Sequence, residues 1–119
     1  KPLPFDTSGN GGGFVFDCRT LPNPGRIDTY KPLTGLDLPV KKYLEPQPTV
    51  KKYLENVFSL IDAGTENYLK RGFSNLMINF GCTGGQHRSV YCAEQLSLHL
   101  KQKFGEKIKI TLYHNELKF

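Results

Sequence analysis

At 119 residues the chain is the size of one domain, long enough to bury a core and too short for two independent ones. Its 16 Lys and Arg against 11 Asp and Glu leave a net charge of +5, which favours anionic partners such as phosphorylated metabolites or RNA without choosing between them. No apolar run approaches the roughly 20 residues of a membrane span, the amino terminus has no signal-peptide pattern, and Cys18, Cys82 and Cys92 form neither a disulfide framework nor a CxxC zinc knuckle. The expectation is a soluble cytoplasmic protein with no membrane partner.

Residues 1–13 are rich in Pro and Gly and end in Gly9-Asn10-Gly11-Gly12-Gly13, so they are expected to be a flexible segment, with residues 14–119 forming the single domain. Phe14-Val15-Phe16-Asp17-Cys18 reads as a strand. Pro22, Pro24 and Gly25 then enforce an irregular loop that carries Arg19, Asn23 and Arg26 just past the strand end, where ligands bind in open α/β sheets. Asp37 precedes a short helix from about Pro39 to Glu45, stopped by Pro46 and Pro48. Thr49 is expected to cap a longer helix in which Tyr53, Leu54, Val57, Leu60, Ile61, Tyr68 and Leu69 recur at helical spacing until Gly72. The hexapeptide Val-Lys-Lys-Tyr-Leu-Glu occurs at 40–45 and again at 50–55; two amphipathic starts broken by prolines do not make a solenoid repeat.

Leu76 to Phe80 predicts a buried strand, and a helix follows from about Gln86 to Phe104 with Val90, Ala93, Leu96 and Leu100 facing inward. Gly105 closes it, and Lys107 to His114 alternates as a last strand should. This order of elements predicts an α/β fold, a small three-layer-like sandwich with a mostly parallel sheet.

Between the second strand and the last helix lies Gly81-Cys82-Thr83-Gly84-Gly85-Gln86-His87-Arg88-Ser89. Paired glycines before a helix start let backbone amides converge on an anion, and Arg88 adds a planar fork for two oxygens. Thr83, Gly84, Gly85, Gln86, His87, Arg88 and Ser89 are therefore the candidate ligand residues. Cys82, Arg88 and Ser89 also match the CxxxxxR(S/T) spacing of cysteine-dependent phosphatases, in which a thiolate attacks phosphorus and an aspartic acid protonates the leaving group. On that alternative Cys82 is the nucleophile, Arg88 the clamp, and Asp17, Asp28 or Asp37 the acid. Gly81 stands where such enzymes usually have His, and an inert thiol is the other reading of Cys82. A third reading is RNA binding through Lys101, Lys103, Lys107 and Lys109. His99 reads as a helix-surface residue and His114 has no ligand spacing around it, so neither a metal nor a cofactor is expected. Gly9 to Gly13 lacks the Lys and Ser/Thr of a nucleotide-binding P-loop.

Three motifs in fixed order, Phe16-Asp17-Cys18-Arg19-Thr20-Leu21-Pro22-Asn23-Pro24, Pro32-Leu33-Thr34-Gly35-Leu36-Asp37 and Gly81 to Val90, closely resemble the carboxy-terminal domain of the RapZ family over roughly residues 14–114. The resemblance implies a subdomain like that of phosphofructokinase, typically carried behind an amino-terminal P-loop domain, in a family whose characterised enterobacterial member is an RNase adapter that binds a small regulatory RNA and senses an amino-sugar phosphate. By position it implies that Thr83, Gly84, Gly85, His87, Arg88 and Ser89 hold the phosphate, with Arg19, Asn23 and the Thr34-Gly35 turn on the opposite wall. Gln86 stands where the family often has Lys, Gly25 where RNA-binding members can have His, and Lys31, another candidate ligand residue, where Arg is common. The leading expectation is a non-catalytic sensor or adapter domain for a phosphorylated small molecule. Phosphatase-like chemistry and RNA binding are the alternatives, and a protein partner and self-association stay open.

Overall fold

The computed structural model describes residues 13–72, 75–82, 85–112 and 114. The expected flexible segment therefore lies outside the described residues except for Gly13, and so do Thr83 and Gly84. Gly13 belongs to the first strand, β1 (Gly13–Asp17), which pairs in parallel with β2 (Met77–Gly81) so that Phe14 lies opposite Ile78 and Phe16 opposite Phe80. Successive strand residues face opposite ways. Here that sends Phe14, Phe16, Ile78 and Phe80 into the core, and leaves Val15, 64% exposed, with Asp17 and Asn79 on the open face.

Among the described residues three α-helices cover the apolar face. α1 (Leu38–Leu44) starts with Pro39 in its first turn, where the missing amide costs nothing, and buries Val40 and Leu44. α2 (Pro48–Arg71) is likewise led by a proline. Its N-cap is Gln47 rather than Thr49, because the fixed φ of Pro48 already suits the first helical position. Gly72, in the left-handed region at φ 75°, ends it by donating to the carbonyls of Leu69 and Tyr68. The buried stripe of α2 is Val50, Leu54, Val57, Ile61 and Thr65; Leu60 and Leu69, counted inward from spacing, are exposed. α3 (Arg88–Phe104) starts two residues later than expected and is followed by a 3-10 turn at Gly105–Lys107.

The core falls into two clusters bridged by α2. Cys18 and Leu21, beyond β1, meet Val40 and Leu44 of α1, Val50 and Leu54 of α2, and Tyr91 and Cys92 of α3. Val57 and Ile61 meet Leu96, Leu100 and Phe104, with the four inward residues of the sheet packed against them.

Two expectations are corrected. Lys107 to His114 forms no ladder among its described residues: Ile108 is extended and packs with Ile110 on the helices, but a cavity of about 540 Å³ separates the segment from β2. The described residues also make two layers, a two-stranded parallel sheet and its helices, instead of three, because no described element covers the face of Val15 and Asn79.

Candidate anion site

The carboxyl ends of the two strands are tied together by the Cys18 amide, which donates to the Gly81 carbonyl at 2.7 Å. Beyond them run the loop after β1 and the turn before α3, and the residues singled out from sequence sit in these two segments.

Arg88 opens α3 and is only 4% exposed. Its Nη1 donates to the carbonyls of Arg19, at 2.9 Å, and Leu21, at 3.1 Å, stitching the first loop to the helix. Its Nε is buried and meets no acceptor among the described residues. No described carboxylate lies at ion-pairing distance from it. A buried cation held by carbonyl dipoles, with Asp17 acting on it only from beyond contact distance, is under-compensated.

Gln86 and His87 are committed to the protein. Gln86 Nε2 donates to the carbonyls of Lys31 and Leu33, each at 2.6 Å, and its own carbonyl accepts from the Gly35 amide at 2.9 Å. His87 is buried, with Nε2 2.8 Å from the Tyr30 carbonyl. A carbonyl can only accept, so Nε2 carries the proton, and the ring's other nitrogen faces Gly25. Gly35 is required where it stands: a side chain there would run into the His87 carbonyl and the Tyr91 amide. Residues 30–35 are thus clamped onto the turn.

Ser89 is buried beside Cys82, whose thiol donates to Ser89 Oγ at 3.2 Å and whose sulfur accepts from the Ser89 amide at 3.4 Å. The Gly85 amide is bonded to the Cys82 carbonyl at 3.3 Å. A cavity of about 540 Å³ opens beside this turn, lined by Cys82, Gly85, Ser89 and, from the end of the chain, Thr111 and His114. His114 was missed as a site residue, since nothing in its neighbours in sequence announces that Nε2 pairs with Glu94 of α3 at 2.9 Å.

Arg19, Asn23, Lys31 and Thr34 are bonded within their own loops. Arg19 forks onto Asp17, with Nε 3.0 Å from both carboxylate oxygens and Nη2 2.7 Å from Oδ2. The side-chain bonds from Arg19, then its amide, hold the Asp17 carboxyl down at about 2. Asn23 caps a 3-10 turn (Pro24–Arg26) through the Gly25 amide. Lys31 pairs with Asp28 at 2.9 Å on the surface. Thr34 Oγ1 accepts from the Leu36 amide, and Asp37 accepts from the Thr34 amide. Of the four lysines proposed for RNA, Lys103 is held by Asp62 at 3.0 Å, while Lys101, Lys107 and Lys109 are exposed. His99 is no simple surface residue: it stacks on Phe58 with ring centroids 4.2 Å apart and bonds both oxygens of Asp62. Cys18 and Cys92 are fully buried, and the neighbouring Cys18 thiol together with burial pushes the Cys92 thiol far up, so it stays protonated and inert. Among the described residues no group of three or more His, Cys, Asp or Glu could hold a metal, and no helix is long and apolar enough to cross a membrane.

Fold and site together define a small α/β domain with two loops locked around a buried arginine at the carboxyl ends of its parallel strands. The chain belongs to the RapZ C-terminal domain family, which residues 5–118 match. It is 51% identical over 86 residues to a nucleotide-binding protein of Tolumonas auensis, covering 72% of this chain and 30% of that protein. Nucleotide-binding proteins of Shewanella halifaxensis and of Shewanella sp. strain ANA-3 are 42% identical over 105 residues and 44% over 104, covering 88% and 87% of this chain and 36% of each relative. The chain spans about a third of the length of these relatives.

Proposed function

We propose that this domain is a non-catalytic sensor or adapter, working in the cytoplasm, that binds a phosphorylated small molecule of the amino-sugar phosphate class at the turn before α3. Arg88 carries the reading: a guanidinium almost wholly buried, with an unmet Nε donor and no described carboxylate opposite it, is a positive charge prepared for an anion. The first turn of α3 adds the partial positive charge of a helix start, and the cavity beside Gly85 and Ser89 has the volume of a small-ligand site. Relatives called nucleotide-binding proteins point to the same chemistry of phosphate recognition.

Phosphatase chemistry is less well served. Asp17 stays ionised near neutral pH and has no proton to give, and Asp37 is bound to a backbone amide. RNA binding keeps three exposed lysines at the end of α3 and beyond it; its mark is an affinity that falls steeply with salt.

Titration calorimetry of the intact chain with inorganic phosphate, glucose and an amino-hexose phosphate tests the proposal. Both phosphates bind and glucose does not, and Arg88→Lys, which keeps the charge but not the fork, weakens binding by about 1.5–3 kcal/mol. Equal phosphate affinity in the two proteins, with thermal melts showing both folded, rejects the site. Phosphomonoester turnover that vanishes in Cys82→Ser would replace the sensor with the enzyme.

A further inference from the structure

We propose that Cys18 and Cys92 are an oxidation site, at which a peroxide joins the two buried thiols into one intramolecular disulfide between the end of β1 and α3. This pair is independent of what the turn before α3 binds. Both residues are fully buried in the same core cluster, and among the described residues no metal site claims them. Cys18 directly follows β1 and is fixed there by its amide, which donates to the Gly81 carbonyl at 2.7 Å. Arg88 ties the carbonyl of the next residue, Arg19, to the start of α3 at 2.9 Å. Cys92 lies four residues after Arg88 on that helix, so it shares the face of Arg88 and meets the same segment. The two thiols are in consequence neighbours, and each acts on the other.

The two sulfurs are unequal. The Cys92 thiol, and after it the Tyr53 hydroxyl at 3.6 Å and the charge of Arg88, hold the Cys18 thiol below its ordinary value against its burial, whereas Cys92 keeps its proton. The thiolate is the nucleophile, so Cys18 reacts first. It gives up its proton and attacks one oxygen of hydrogen peroxide. The O–O bond breaks, the sulfur is oxidised by two electrons to a sulfenic acid, and the departing hydroxide takes the proton to become water. The Cys92 sulfur then attacks the Cys18 sulfur, the S–O bond breaks, and the second hydroxide leaves as water with the Cys92 proton. Two thiols and one peroxide give one disulfide and two waters; Cys92, inert by itself, enters only in the second step. The way in is past Tyr53, which is half-buried and whose hydroxyl lies against the Cys18 sulfur while donating to the Asp17 carbonyl at 3.0 Å. A turn of that ring opens the sulfur to an oxidant of nearly the size of water.

Hydrogen peroxide treatment of the full 119-residue chain under native conditions, followed by alkylation and peptide mass mapping, tests this. The expected product is a monomer whose Cys18 and Cys92 peptides are joined and are separated again by dithiothreitol, and the same bridge forms in Cys82→Ser. In Cys92→Ala no bridge forms, and dimedone labels Cys18, the sulfur left as a sulfenic acid. The bridged chain melts about 5 °C or more above the reduced one, because the end of β1 can no longer part from α3. Free thiols at Cys18 and Cys92 after peroxide, a bridge that includes Cys82, or a bridge only between two molecules overturns the proposal. So does a bridged chain that melts no higher. Dimedone on Cys82 alone in Cys92→Ala overturns the assignment of Cys18 as the sulfur that reacts first.

Discussion

Arg88 shows how one residue type serves two readings. The sequence spacing presented it as a fork for an anion, and the folded chain uses part of that fork to bind the carbonyls of Arg19 and Leu21, leaving Nε unmet. Sequence could mark the residues of this turn as unusual, but not that Gln86 and His87 would be taken up by carbonyls of Tyr30, Lys31 and Leu33, since those partners are brought together only by the fold. Asp17 is the opposite case: its partner is two residues away. With the folded pKa depressed to about 2, the Asp17–Arg19 contact is present above the ordinary carboxylate value of 3.8 and is lost as pH falls through about 2. A carbon-detected NMR titration should give Asp17 a midpoint near 2, moving toward 3.8 in Arg19→Ala; the same midpoint in both proteins contradicts the fork.

Among the elements, helix ends were legible where chemistry is local. Gly72 and Gly105 follow the last turns of α2 and α3, as spacing suggested, because a glycine tolerates the positive φ found at both. The inward stripe of α2 was legible only in part, since neighbouring Leu60 and Ile61 both look apolar and the packing partners decide between them. Ile61 is fully buried among Val57, Leu96 and Leu100, whereas Leu60 is 54% exposed. Ile61→Ala should therefore lower unfolding free energy by about 2–5 kcal/mol. Leu60→Ala should stay within about 0.5 kcal/mol. Urea titrations of the two variants decide it, and similar losses would mean that α2 is rotated from the orientation described. The strand foreseen at the end of the chain had the right alternation, but alternation says which side faces the core and not whether a neighbour lies close enough to pair.

For the whole molecule, the telling contact joins distant parts of the chain. The loop before α1 is held against the start of α3 by the Gly35 amide on the Gln86 carbonyl, with no space for a side chain between Gly35 and the His87 carbonyl. Gly35→Ala must move one segment off the other, so it should destabilise the domain by about 1–3 kcal/mol, the usual cost of forcing atoms into a packed site. Thermal melts should show a single transition shifted down. An unchanged melting temperature would show that the two loops are not rigidly joined. The α/β class and the element order up to α3 were legible because each element carries its own periodicity and stop signals. The layer count was not, because it depends on what covers Val15 and Asn79, and no local pattern encodes that.

The register of the sheet bears on how the chain comes together in time. Gly13 can find Met77 only after every residue of α1 and α2 has been made, so the growing polypeptide carries β1 without its strand partner while both helices are synthesised. Pairings so remote along the chain require a large loop to close before they repay anything, which places the sheet late on the folding route, after the local turns of α2. Until α2, β2 and α3 are in place Phe14 and Phe16 lack the core they fill in the folded domain, and that interval is when the chain is most exposed to aggregation.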